Sequence, residues 1–113
     1  MTTANKVFEL LSPIPEEDFI TYSLTNGIDK CCARGHIIRL QSVNPNDYSI
    51  DNIINTNEHL DKEIWKKSIE FLNSKRPNES IAAINNNPSD CYPQEKPKQR
   101  VMALLTDMIA AGY

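Results

Sequence analysis

A chain of 113 residues fits one domain, because a polypeptide of this length buries only about two thirds of its unfolded surface and cannot divide into two independent cores. Its 40% apolar content, with one Trp, four Tyr and three Phe, excludes global disorder, and the 24% of charged residues keep the surface soluble. A formal charge of -3 with dispersed basic residues lacks the electrostatic footprint that neutralising several phosphates needs, which argues against nucleic acid as the partner.

Residues Met1 to Leu11 carry neither a basic leader region nor a long apolar run, and no later stretch approaches the ~20 apolar residues that span a bilayer. The expectation is a cytoplasmic protein with no membrane partner. Cys31, Cys32 and Cys91 are an odd number with two adjacent in sequence, a poor basis for a disulfide framework, so reduced thiols are expected.

In chain order, Val7, Leu10 and Leu11 predict a helix over Thr3 to Leu11, ended by Ser12-Pro13-Ile14-Pro15. After the acidic triplet Glu16-Glu17-Asp18, Ile20, Tyr22 and Leu24 alternate with polar residues up to the turn pair Asn26-Gly27. That pattern predicts a short extended or β-hairpin segment near residues 19–28. Asp29 is a candidate cap for a helix over Lys30 to Gln41, with Ala33, Ile37 and Leu40 on one stripe and Cys32 and His36 beside it. Ser42 to Tyr48 reads as a loop, and Ser49 as the cap of a short helix carrying Ile50, Ile53 and Ile54.

Glu58 to Asn73 is the strongest central helix: Leu60, Ile64, Ser68, Phe71 and Leu72 trace the buried stripe, widened by Trp65 and Ile69. Ser74 to Asn78 breaks it, and Ile81-Ala82-Ala83-Ile84 is too short to assign by periodicity; its alanines favour helix. Asn85 to Lys96 is a polar loop with Pro88 and Pro93. The last helix starts at Pro97, repeats Val101, Leu104, Leu105 and Met108 at helical spacing, and is closed by Gly112. The sum is a mostly α, single-domain helical fold over residues 1–113.

Two segments carry chemistry that needs weighing. In Cys31-Cys32-Ala33-Arg34-Gly35-His36, a thiol in the first turn of a helix feels the positive end of the dipole, which favours thiolate. Cys32 is therefore the candidate nucleophile, and His36 or His59 the candidate base. The plainer account makes Cys32 a small buried thiol beside a half-exposed His. Cys32 and His36 at i, i+4 with Cys31 or Cys91 and His59 would also form a zinc set, but without the paired C-x2-C spacing of structural sites, so no metal and no cofactor is assigned. The second segment is the Asn85 to Lys96 loop, where Tyr92, Asn85 and Asn86 are candidate binding residues. Asn side chains there also serve to cap backbone groups. With glycine only at Gly27, Gly35 and Gly112, no phosphate loop or dinucleotide fingerprint exists.

The order Cys32-Ala33-x-Gly35, then Ile81-Ala82-Ala83-Ile84-Asn85-Asn86-Asn87-Pro88, then Arg100-Val101-Met102-Ala103-Leu104-Leu105 resembles a family of small uncharacterised bacterial and phage proteins, a domain of unknown function. Members typically read Trp-Cys-Ala-x-Gly-Ala early and Trp-Asn-Asp before the final helix. Here Cys31 stands where Trp is usual, His36 where Ala is usual, and Ile84-Asn85-Asn86 where Trp-Asn-Asp is usual. The resemblance implies fold and a phage or mobile-element origin, and no activity. The functional expectation is a non-catalytic binding or accessory protein whose partner is a protein, with a thiol-dependent enzyme and a small zinc-binding domain as the alternatives.

Overall fold

The computed structural model describes residues 2–22, 30–41 and 58–113, and it is mostly helical, with five α-helices among them. Helix α1 spans Thr3–Leu11; Thr2 caps it, its hydroxyl accepting the Asn5 N–H at 3.2 Å. The periodicity of Ala4, Val7 and Leu11 puts all three at zero exposure on its inner face. A short 3-10 turn, Glu16–Asp18, follows the two prolines. Helices α2 (Ala33–Gln41), α3 (Glu58–Leu72), α4 (Ile81–Asn86) and α5 (Pro97–Ala110) complete the set.

Helix α5 is the central packing element, lying against both α1 and α4, and its Val101, Leu104, Leu105 and Met108 are fully buried. It ends as its sequence predicts. Gly112 adopts φ +86°, the Gly112 N–H reaches the Ile109 carbonyl at 3.0 Å, and the Tyr113 N–H reaches the Met108 carbonyl at 2.9 Å. Those two bonds are the Schellman pattern, which gives partners to carbonyls that a helix end leaves open. The turn also sets the Tyr113 ring edge-on against Phe71, with centroids 5.4 Å apart.

The junction of α3 and α4 depends on one buried hydroxyl. Ser68 Oγ donates to the Trp65 carbonyl at 2.8 Å and accepts the Ile81 N–H at 2.9 Å. Ser80, in the cap position of α4, makes no side-chain cap bond, so α3 supplies the partner that α4 lacks.

Several expectations are corrected. The helix predicted over Lys30 to Gln41 starts at Ala33, because Cys31 is held in extended backbone by a parallel bridge with Phe19. The Ile20 N–H reaches the Cys31 carbonyl, and the Cys31 N–H the Asp18 carbonyl, each at 3.0 Å. That bridge is the extended pairing found near residues 19–28, and it is parallel, whereas a hairpin would be antiparallel. Residues 23–29, with the Asn26-Gly27 turn and the Asp29 cap, lie outside the described residues, as do the loop from Ser42 and the helix from Ser49.

Leu40 shares the arc of Ala33 and Ile37 but belongs to the last turn of α2 and is 41% exposed. Trp65, expected to widen the buried stripe of α3, is 40% exposed, since Ile64 and Ser68 already close that face. Its ring instead carries the Arg34 guanidinium at 5.7 Å, and Arg34 makes a two-pronged pair with the buried Asp61 at 3.0 and 2.8 Å.

Candidate functional site

The two segments singled out by sequence meet in space, and Asn85 joins them. Its Oδ1 accepts the Ala33 N–H at 3.1 Å, and its Nδ2 donates to the Ile20 carbonyl at 2.9 Å and to Asn86 Oδ1 at 3.2 Å. Ala33 is the first residue of α2, so its N–H is one of the donors a helix start leaves open. A side chain from the end of α4 thus caps α2 while pinning the chain that leads out of the 3-10 turn. Asn85 is fully buried and every one of these bonds is internal.

Cys32 occupies the cap position of α2, where the backbone N–H groups of Arg34 and Gly35 face its sulfur. Those donors favour thiolate, but burial outweighs them and pushes the thiol above its ordinary value. Cys31, whose backbone makes the bridge, is buried too, and Cys91 is exposed; none of the three forms a disulfide.

His36 is not half-exposed beside the helix; it is fully buried, its ring 4.7 Å from that of Phe19. Nε2 lies 2.8 Å from the Asp18 carbonyl, which can only accept, so that nitrogen carries the proton. Nδ1 is then the acceptor for an Arg39 N–H at 3.2 Å. Burial holds the imidazole below its ordinary value, and the Arg39 charge adds to that despite the Asp18 bond. The second candidate base, His59, falls in the first turn of α3, with its side chain outside the described residues.

Tyr92 is corrected from loop contact to core residue. It is 2% exposed, its hydroxyl donates to Asp107 Oδ2 at 2.8 Å, and burial and that carboxylate both drive the phenol upward. A polar loop with two prolines offered no period by which to see a buried aromatic. Asn85, the second binding candidate, is likewise internal, while Asn86 is half-buried and Oδ1 accepts the Tyr22 N–H at 2.8 Å.

The residue that sequence reading missed is Arg100. It follows Lys96 and Lys98 in a basic run at the start of α5, yet it is 2% exposed. Nε donates to the Ile84 carbonyl at 2.8 Å, one terminal nitrogen to Gln94 and Glu95 at 2.8 and 2.9 Å, and the other to Asn85 at 2.6 Å. Four carbonyls thus hold the guanidinium, tying the end of α4 and the loop to α5. The available signal was its place four residues before Leu104, on the buried stripe. Lys98 is also committed, donating to the carbonyls of Ser12 and Ile14 at 2.8 and 2.7 Å.

Among the described residues no three His, Cys, Asp or Glu side chains converge in a way that would hold a metal ion. An open cleft of about 390 Å³ is bordered by Glu16, Glu17, Phe19, Lys96 and Pro97, and neither Cys32 nor His36 is among those lining residues. No helix among the described residues is long and apolar enough to cross a membrane. No family model, curated protein or solved structure matches the chain.

Proposed function

We propose that this chain is a small non-catalytic binding or accessory protein of the cytoplasm, of the phage and bacterial family its motifs resemble, acting on a protein partner. The observation that carries the reading is the internal commitment of Cys32, His36 and Asn85. A catalytic thiol needs a base with an available nitrogen, and both nitrogens of His36 are engaged, one by the Asp18 carbonyl and one by Arg39. Cys32 is buried under conditions that keep it protonated. Asn85, at the position where the resembled family has the Asn of its Trp-Asn-Asp segment, makes only internal bonds. On this reading the family's two short motifs are the halves of one structural joint, and recognition falls to the surface around it.

Iodoacetamide labelling followed by peptide mapping tests the proposal. In the folded protein Cys91 reacts and Cys31 and Cys32 do so only after denaturation. Rapid labelling of folded Cys32, with a pH midpoint well below the ~8.5 of an ordinary thiol, would replace this reading with the thiol-dependent enzyme using His36 or His59.

A further inference from the structure

Tyr22 combines three properties that rarely coincide. Its backbone is left-handed at φ 60°, its side chain is 70% exposed, and it is nonetheless fixed at two points. Its N–H donates to Asn86 Oδ1 at 2.8 Å and its hydroxyl to Asn87 Oδ1 at 2.5 Å. The other non-glycine residue of positive φ among those described is Asn78, at 69°, a residue type that tolerates this conformation. An aromatic does not. The bonds continue inward, from Asn86 to Asn85 and from the Asn85 carbonyl to the buried Arg100. A chain of polar contacts rooted in the core therefore ends by immobilising one solvent-facing ring.

Folding gains little from that arrangement. The ring buries little apolar surface, and both the strained backbone and the ordering of an exposed side chain oppose stability. A rigid, pre-oriented tyrosine is what a binding surface needs, since it offers a large contact area with little further entropy to lose. We propose that Tyr22, with Asn86 and Asn87, is the recognition surface of this protein, and that its ligand is an extended, uncharged stretch of polypeptide. Asn87 is exposed and continues in extended backbone at φ -140°, ψ 142°, so a peptide can lie alongside with one side chain over the ring. With their Oδ1 atoms spent on Tyr22 and Asn85, Asn86 and Asn87 keep their Nδ2 groups to donate to the C=O groups of a peptide, and the Tyr22, Asn86 and Asn87 side chains present no cation for a phosphate backbone. This inference rests on the binding reading above and names its surface.

The test uses the full chain, Tyr22→Gly and Tyr22→Asn, both compatible with positive φ. Random linear peptides are selected by display on the wild type, and the enriched sequences are measured on all three proteins by fluorescence anisotropy, alongside a neutral oligosaccharide array and single-stranded oligonucleotides. The expected result is a Tm unchanged or raised in both variants, with peptide affinity weakened about tenfold or more. A lowered Tm in both variants would make Tyr22 a structural residue and overturn the inference. Peptides that bind all three proteins equally would leave the binding function standing and remove Tyr22 from it. Enrichment of saccharides or oligonucleotides alone would overturn the ligand class, and no ligand on the wild type would end both readings.

Discussion

Replacing Asn85 with Ala removes the joint between the two halves of the fold, and its cost follows from the groups left behind. The Ala33 N–H sits on a fully buried residue and cannot recover a partner from water. A buried donor without a partner costs about 1–3 kcal/mol. The Ile20 carbonyl belongs to a half-buried residue, so its loss falls near the lower end of the same range. The bond to Asn86 adds a net contribution of about 0.5–1 kcal/mol. Together these destabilise the protein by roughly 3 kcal/mol, a large part of the ~5–15 kcal/mol typical of a domain. In a chain of this size that corresponds to a fall in Tm of about 12 °C. Urea unfolding followed by circular dichroism measures it, with Asn87→Ala as the control, since its exposed side chain bonds only the exposed Tyr22 hydroxyl and should cost below about 0.5 kcal/mol. An Asn85→Ala loss under about 1 kcal/mol, or one equal to the control, would refute the reasoning.

Two further outcomes follow from the same geometry. Because His36 is held below its ordinary value of 6.5 by burial, the unfolded chain takes up a proton first as pH falls. Its contribution is therefore complete above that pH and declines as pH drops through the folded value. Urea midpoints at successive pH values should show this decline in the wild type and a smaller one in His36→Gln, which can still donate to the Asp18 carbonyl; identical profiles would exclude His36 as the source. At Gly112 a Cβ would meet nothing within 4 Å, so Gly112→Ala should be penalised only for its φ of +86°. The expected loss is about 1 kcal/mol in thermal unfolding, and a neutral result would mean the last turn has rearranged.

Elements with a strong period were legible in the sequence. Helix α1 has the predicted bounds, and the Pro97 start and Gly112 stop of α5 both rest on local backbone chemistry that a sequence displays directly. Cys31 was misassigned to a helix because the force that keeps it extended is a bridge to Phe19, a partner distant in sequence. Tyr92 was misread, and Arg100 missed, for the same kind of reason. One is buried by a carboxylate on α5, the other by four carbonyls, and none of those partners is visible as a side-chain pattern near either residue. The two segments singled out in the sequence meet in the fold, but nothing in their spacing said that one asparagine would span them.

The carbonyl cage around Arg100 has a bearing on how the molecule comes apart. An ion pair such as Arg76 with Glu79 depends on a carboxylate that acid can neutralise. Peptide carbonyls do not titrate, and a guanidinium keeps its proton throughout the acidic range. The bonds by which Arg100 joins α5 to α4 and the loop are therefore indifferent to acid, while the neutral imidazole under Phe19 is not. Acid acts on the α2 side through His36, and the Arg100 cage itself offers it nothing to protonate.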